Sequence, residues 1–209
     1  MSAGEGYLLI VEDDADILKL LDATLAFKGY RVVTARNGRE GLDAVQRERP
    51  AIVIADIMMP KLDGFGLVHR LRINPETRDI PVIFITATYV APEDQEFALN
   101  IGATRFIQKP IDLEKFLETV AEVLKQGIHA AIEPLNELSF YQEYRRRLEL
   151  KLDQKNRQIT RDQGLLGAHS DEEDQFLRAS LRQAIGERDE LRLLLGQIHE
   201  QLQKYSGSQ

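Results

Sequence analysis

Residues 51–56 of the chain read Ala-Ile-Val-Ile-Ala-Asp, a short apolar run that ends in a carboxylate. The run follows Pro50, is too short for a buried helix and is rich in β-branched residues, so it predicts a strand. Because apolar residues occupy both of its faces, the strand is expected to be buried on both sides, as in a parallel sheet. Asp56 then stands at the carboxyl end of that strand.

Four similar runs lie elsewhere in the first half of the chain, and an amphipathic segment follows each of the five. The predicted strands cover 7–11, 30–35, 51–55, 81–85 and 104–108. The predicted helices cover 16–28, 38–48, 64–72, 92–101 and 113–126. Consecutive strand–helix units predict an α/β fold, with helices on both faces of a five-stranded parallel sheet. Such sheets bind ligands outside the carboxyl ends of their strands.

The C-terminal part has another pattern, with apolar residues spaced alternately three and four apart over 138–205, after a linker at 128–137. This spacing is typical of an α-helical hairpin or a coiled coil. The first predicted helix has its seam at Leu138, Tyr141, Arg145, Leu148, Leu152, Lys155 and Ile159. The second has its seam at Leu177, Leu181, Ala184, Arg188, Leu191, Leu195, Ile198, Leu202 and Tyr205. The first helix is basic overall and the second acidic, which favours their pairing within one chain or between two.

Two glycines, Gly164 and Gly167, are expected to break the chain between these helices. Ser170 and Glu173 predict a capping box at the start of the second helix. A helix pair with leucine seams cannot bury its apolar stripe alone, so we expect a homodimer formed through these helices.

The composition excludes several classes of protein. The chain has 209 residues and a formal net charge of −7, which argues against a nucleic-acid partner. It has no cysteine, and therefore no disulfide framework and no thiolate metal site. No apolar run approaches the roughly 20 residues of a membrane-spanning helix, and the first six residues lack a secretory pattern. We therefore expect a cytoplasmic protein without membrane insertion.

Polar side chains follow four of the five predicted strands. They are Glu12, Asp13 and Asp14 after the first, Asp56 after the third, Thr86 after the fourth and Lys109 after the fifth. In a parallel sheet these positions meet at one edge, where clustered carboxylates need a cation to offset their charge. Oxygen ligands alone favour Mg2+. A carboxylate beside Mg2+ can attack a phosphoryl group, while a lysine and a hydroxyl contact the phosphoryl oxygens.

Five motifs give the chain a family resemblance. They are Val11-Glu12-Asp13-Asp14, Asp56-Ile57-Met58-Met59-Pro60, Asp63-Gly64, Thr86-Ala87 and Phe106-Ile107-Gln108-Lys109-Pro110. Through these motifs residues 6–126 resemble the receiver domain of bacterial response regulators, of the CheY-like kind. The resemblance implies a flavodoxin-like sheet with strand order 2-1-3-4-5.

The resemblance also implies roles for individual residues. Asp56 is the expected phosphoacceptor. The expected Mg2+ ligands are Asp13, Asp14, Asp56 and the main-chain carbonyl of Met58. Lys109 is expected to pair with the phosphoryl group and to precede a cis peptide bond to Pro110.

A switch is expected at the same site. Thr86 would move toward the phosphoryl oxygens and open space for Phe106 to turn inward. Phe106 has no hydroxyl, so packing alone would hold the inward state. Met58 is apolar and is expected to shield the phosphoryl group from water, which predicts slow self-hydrolysis. The segment 103–106 lacks the paired acids of many DNA-binding relatives, which puts their usual dimer face in doubt.

The sequence therefore predicts a receiver domain at 6–127, a linker at 128–137 and a helical extension at 138–205. A histidine kinase or a phosphotransfer protein would phosphorylate the receiver, which would change the association or the docking of the extension. The chain is expected to be a binding switch and not an enzyme. The alternatives are the N-terminal portion of a hybrid sensor kinase, a structural adaptor that is not phosphorylated, and a transcription factor, against which the lack of a helix-turn-helix pattern argues.

Simpler interpretations exist for some of these residues. Asp13 and Asp14 could be solvated acids that cap the following helix, since Asp favours that position. Phe106 could simply be a core residue. His199 precedes Glu200 on a predicted helix, as phosphoacceptor histidines of sensor kinases precede an acid. The residues that follow His199 lack the proline of the commonest kinase motif, so a phosphotransfer role is not the favoured interpretation.

Overall fold

The computed structural model of the chain describes residues 6–86, 92–126, 135–166 and 171–206. It divides into two compact units, Met1–Leu135 and Asn136–Gln209. The predicted linker at 128–137 falls mostly outside the described residues and stays a prediction. No helix among the described residues is long and apolar enough to cross a membrane.

The first unit contains a five-stranded parallel sheet with the order β2-β1-β3-β4-β5. The strands are β1 (Leu8–Val11), β2 (Val32–Ala35), β3 (Ile52–Asp56), β4 (Val82–Thr86) and β5 (Arg105–Gln108). The central strand β3 pairs with β1 from Leu8↔Ile52 and with β4 from Val53↔Val82. The predicted flavodoxin-like topology is therefore confirmed.

Five helices connect and follow the strands. They are α1 (Ala15–Phe27), α2 (Gly38–Arg47), α3 (Gly64–Ile73), α4 (Pro92–Asn100) and α5 (Leu113–Gln126). All ten predicted elements are present, with ends displaced by at most two residues. β1, β3 and β4 are buried along their whole length, because helices cover both faces of the sheet. One part of the core lies between the sheet and two of the helices. It contains Ile54 and Ile83 of the sheet together with Leu21 and Leu25 of α1 and Phe116 of α5.

The second unit is an α-helical hairpin made of α6 (Glu137–Leu165) and α7 (Asp171–Ser206). Ile159, near the end of α6, packs with Leu181 and Ala184, near the start of α7. At the other end the Tyr141 and Tyr205 rings lie 6.4 Å apart. The two helices are therefore antiparallel and pair within one chain.

The hairpin differs from the prediction in two seam positions and in one expected chain break. Leu138 is exposed, whereas Phe140 and Tyr144 are buried, so the buried face at the start of α6 was misplaced. Gly164 lies inside α6 and does not break it, because a single glycine near a helix end costs only about 1 kcal/mol. Leu194 is buried in α7 while the predicted Leu195 is only half-buried. Gly167 and the predicted capping pair fall on residues whose structure or side chains are not described.

Candidate functional site

The carboxylates of the first and third strands do meet at the carboxyl edge of the sheet. Oxygen atoms of Glu12, Asp13 and Asp56 lie within 4.8 Å of one another. Parallel pairing of β1 and β3 sets Val11 beside Ala55, so the residues that follow on each strand emerge together. Glu12 and Asp56 are buried, and Asp13 is exposed.

Lys109 completes the cluster. Its Nζ donates to Glu12 Oε2 at 3.0 Å and lies 3.5 Å from Asp56 Oδ1. The main-chain N–H of Lys109 donates to the Thr86 carbonyl at 2.7 Å, which aligns the end of β5 with the end of β4. The predicted cis peptide between Lys109 and Pro110 is present.

Asp14 is not part of this cluster, and its predicted place among the metal ligands is corrected. Its side chain accepts hydrogen bonds from the main-chain N–H groups of Asp16 (2.9 Å) and Ile17 (3.0 Å). These bonds make it the N-cap of α1 and lower the pKa of its carboxyl. The capping interpretation holds for Asp14 and not for Asp13.

Glu12 takes the place that the sequence interpretation gave to Asp14. It is 1% exposed and accepts from both the Lys109 ammonium and the Asp14 main-chain N–H, the latter at 3.2 Å. Its role was missed because the three consecutive acids look equivalent in sequence. The length of the strand could have revealed it, because the residue directly after a buried strand lies at the edge of the sheet.

Burial and mutual repulsion act against the charged forms of the clustered carboxylates, and Lys109 partly offsets this effect. Burial, the largest cause, and the neighbouring Glu12 carboxylate together raise the pKa of Asp56 to about 7, against the opposing effect of Lys109. Burial also raises the pKa of Glu12, against the effect of Lys109. Burial disfavours the Lys109 ammonium, but Asp56 and Glu12 outweigh this effect and raise its pKa. One lysine therefore faces two buried carboxylates and a third at the surface.

The remaining predicted site residues lie around this cluster. Thr86 is buried at the end of β4, in register with Gln108. Met58 is half-buried two residues after Asp56. Phe106 is half-buried on β5, and its ring centroid lies 5.7 Å from that of Phe84.

The turn after β3 brings a helix against Asp56. A side chain on Gly64 would collide with the Asp56 carbonyl, so only glycine fits there. The Gly64 N–H donates to the Ile57 carbonyl at 2.9 Å, and Asp63 caps α3 through the Gly66 N–H at 2.8 Å. The first residue of α3 therefore packs on the backbone of Asp56.

Comparisons with known proteins agree with this architecture. The family model described as "Response regulator receiver domain" matches residues 8–121. The chain is 37% identical over 120 residues to "Probable transcriptional regulator ycf27" of Porphyra purpurea, covering 57% of this chain and 48% of that protein. It thus spans about half the length of the transcriptional regulators it matches.

Two solved structures are also similar. One is the signal receiver domain of a signal transduction histidine kinase from Syntrophus aciditrophicus, with 34% identity and a TM-score of 0.55, covering 60% of this chain and 94% of that one. The other is the chemotaxis protein CheY4 of Vibrio cholerae, with 32% identity and a TM-score of 0.54, covering 56% and 98%. The relatives named transcriptional regulators run against the expectation that the chain has no nucleic-acid partner, and that expectation is not confirmed.

Proposed function

The chain belongs to the response regulator receiver family of two-component systems, and from that membership we propose that Asp56 accepts a phosphoryl group from a histidine kinase or a phosphotransfer protein. The observation that carries the proposal is the environment of the Asp56 carboxylate. It is 9% exposed at the end of β3, with the Lys109 ammonium at 3.5 Å and oxygens of Glu12 and Asp13 within 4.8 Å.

The Asp56 carboxylate acts as the nucleophile. One of its oxygens forms a bond to phosphorus while the bond from phosphorus to the donor's imidazole nitrogen breaks, and the leaving imidazole takes up a proton. Lys109 places a positive charge beside the phosphoryl oxygens, and Glu12 holds the ammonium in position at 3.0 Å. The donor supplies the phosphoryl group and its activation, so the chain is a switch that assists its own phosphorylation and not an enzyme.

The cluster fits Mg2+. Its donors are all carboxylate oxygens, and two of the three carboxylates are buried with only Lys109 to offset them. Bound Mg2+ supplies positive charge that offsets both the carboxylates and the phosphoryl oxygens. Asp13, Asp56 and the Met58 main-chain carbonyl are the proposed ligands, and Glu12 serves mainly to orient Lys109.

Phosphorylation with a small phosphodonor such as acetyl phosphate tests the proposal. Intact-mass measurement should show one added phosphoryl group on the wild type with Mg2+ and none in EDTA. Asp56→Asn should gain none. Asp14→Asn is the matched control, because this neighbouring acid caps α1, and it should be phosphorylated like the wild type. Phosphorylation of Asp56→Asn, or equal phosphorylation without a divalent metal, would refute the proposal.

Thr86 and Phe106 form the proposed switch. Thr86 is buried at the end of β4, where a hydroxyl can approach the phosphoryl oxygens, and the Phe106 ring already packs beside Phe84 at 5.7 Å. The inward state rests on this ring packing. Thr86→Ala should therefore be phosphorylated normally but should lose the change in Phe106 environment that 19F-labelled phenylalanine reports.

Met58 is the proposed cause of a long-lived phosphoryl group. Its half-buried thioether side chain cannot orient a water molecule, so the aspartyl phosphate should persist for minutes or longer. Met58→Asn should shorten the half-life severalfold. A wild-type half-life of seconds would contradict this role.

The hairpin is the proposed output, acting through association with a second copy or docking to a protein partner. Its outward faces keep Leu150 57%, Phe176 78% and Leu193 60% exposed. Light scattering of the full chain and of residues 1–127, each with and without beryllofluoride, distinguishes these outputs.

A second candidate is that the chain is a portion of a hybrid sensor kinase, which the similarity to a histidine-kinase receiver domain favours. An encoded ATP-binding domain downstream would decide for it.

A further inference from the structure

One face of α3 carries three buried residues that contact three different parts of the first unit. Phe65, His69 and Arg72 are spaced four and three apart, so they lie in one stripe along the helix. Each is 2% exposed. A helix on the face of a sheet does not need to bury a histidine and an arginine, and burying such groups is unfavourable unless they are paired.

Phe65 joins this stripe to the candidate site. Its ring makes edge contacts with Phe84 (5.6 Å between centroids) and Phe97 (5.2 Å), and Phe84 in turn contacts Phe106. The preceding residue, Gly64, packs against the Asp56 main chain. Direct contacts therefore connect both Asp56 and Phe106 to the start of α3.

Arg72 ties the far end of the stripe to the turn before β5. Its Nε and Nη2 donate to the Gly102 carbonyl at 3.1 and 2.7 Å. Gly102 has a φ of +104°, and any side chain there would meet Arg72, so the turn is built to receive the guanidinium. β5, which carries Phe106, begins three residues later.

His69, in the middle of the stripe, contacts Leu135, the last residue of the first unit. Its Nε2 lies 3.2 Å from the Leu135 carbonyl oxygen. A carbonyl only accepts, so Nε2 carries the proton of this bond. Leu135 directly precedes Asn136, whose side chain caps α6 by accepting from the Ser139 N–H at 2.9 Å.

We propose that α3 is the output element of the receiver unit and that His69 is the residue that transmits its movement to the root of the hairpin, the segment 135–139. This inference rests on the proposed function, because phosphorylation of Asp56 is the event that moves α3. The partner of His69 is the Leu135 carbonyl of the same chain. This hydrogen bond is the first contact that phosphorylation changes.

Hydrogen–deuterium exchange of the full chain tests the anchor itself, without any phosphoryl analogue. His69→Leu removes the donor, and amides of 135–145 should exchange roughly threefold to tenfold faster, the factor expected for one lost hydrogen bond. His69→Gln keeps a side-chain N–H donor and should stay close to the wild type. Arg70→Ala changes the adjacent, half-exposed residue of α3 and serves as the control. Equal exchange in His69→Leu and the wild type would overturn the proposal.

The same measurement with Mg2+ and beryllofluoride tests the transmission. Exchange of 135–145 should change in the wild type and in Arg70→Ala, and the change should be lost in His69→Leu. A histidine that only fills the core would leave this response intact, and such a result would overturn the proposal. Intact-mass measurement should show that all three variants still accept a phosphoryl group from acetyl phosphate.

Two further results distinguish a failure of the proposed function from a failure of the role proposed for His69. If the wild type is not phosphorylated, the proposed function fails, whereas the exchange rates without beryllofluoride still decide whether His69 anchors the segment. If His69→Leu does not fold, the long-range 1H–15N spectrum of the wild type replaces it. The His69 ring should then carry its proton on Nε2, and an unprotonated Nε2 would overturn the proposal.

Discussion

The receiver unit and the helical hairpin bury their apolar residues in different ways. In the receiver, helices cover both faces of the sheet, and the strands β1, β3 and β4 are fully buried. In the hairpin, two helices bury one seam and leave large apolar residues such as Leu150 and Leu193 exposed. The receiver therefore has a core enclosed between layers, whereas the core of the hairpin is a single seam between two helices.

The difference also decides where chemistry can be located. Strand ends in a parallel sheet converge, so acids far apart in sequence, such as Glu12 and Asp56, become neighbours. An antiparallel helix pair spreads its polar residues along its length, as the interhelical pair Lys155–Glu187 at 2.5 Å illustrates. The chemistry of the receiver can therefore be inferred from the geometry of its side chains, whereas the role of the hairpin has to be inferred from what it associates with.

The largest expected difference between the two regions lies in their cores. Ile54→Ala in β3 should lower the free energy of unfolding by about 3–5 kcal/mol, because its fully buried site between two layers cannot collapse. Leu191→Ala in α7, which is 4% exposed, should cost about 2 kcal/mol, because a two-helix seam can close around the loss. Urea unfolding followed by circular dichroism measures both. Equal losses would break the comparison.

The next effect concerns buried acids. The pKa of Asp56 is about 7 in the folded chain, against about 3.9 when unfolded, so the folded state binds the proton more tightly. Stability should therefore fall as the pH rises from about 4 to about 7. Asp56→Asn should reduce this fall, leaving the part that Glu12 contributes, and should stabilise the metal-free chain by roughly 2–3 kcal/mol at pH 8, with little effect at pH 4.

The hairpin offers a control for this prediction. Asp162 is also buried, but its carboxylate pairs with Arg161 at 2.9 Å instead of facing other acids. Asp162→Asn should therefore not stabilise the chain at pH 8. Urea unfolding in EDTA at both pH values measures the two variants, and a destabilised Asp56→Asn at pH 8 would show that repulsion does not dominate the cluster.

Removing a helix cap should lower the free energy of unfolding by a smaller amount, and by different amounts in the two regions. Asn37 caps α2 by accepting from the Glu40 N–H at 3.1 Å and is 3% exposed, whereas the exposed Asn136 caps α6. Asn37→Ala should cost about 2 kcal/mol and Asn136→Ala about 0.5–1 kcal/mol, because water can replace only the exposed cap. Thermal unfolding of the two variants measures the ratio, and a larger loss for Asn136→Ala would reverse the assignment.

The smallest effect is the interhelical ion pair. Lys155 and Glu187 are partly exposed, so a double-mutant cycle with Lys155→Gln and Glu187→Gln should give a coupling of about 0.5–1 kcal/mol. The coupling should fall in high salt. A coupling of zero would mean that the apolar seam alone sets the register of the hairpin.

Much of the fold was predictable because its signals are local. Buried parallel strands form unbroken apolar runs, and glycines such as Gly29 mark helix ends, so the sheet order and helix bounds followed from the pattern and the family resemblance. The choice between Asp14 and Glu12 was missed because three adjacent acids look equivalent in sequence. The end of β1 at Val11, which the sequence does predict, fixes that Glu12 is the first of them to leave the strand.

The hairpin seam was misplaced at Leu138 for a related reason. Alternating three and four spacing allows neighbouring stripes at a helix end, and the aromatic residues Phe140 and Tyr144 took the buried positions. The contact of His69 with Leu135 had no sequence signal, because it joins residues 66 positions apart through a single carbonyl.

Mapping the phosphoryl group to one residue tests the central claim most directly. Borohydride reduces an aspartyl phosphate to homoserine, which peptide sequencing by mass spectrometry can locate after phosphorylation with Mg2+ and acetyl phosphate. The modified residue should be Asp56 alone, in the receiver unit. A phosphoryl group found instead on His199 of the hairpin, or homoserine at Asp13 or Asp14, would contradict the assignment of the site.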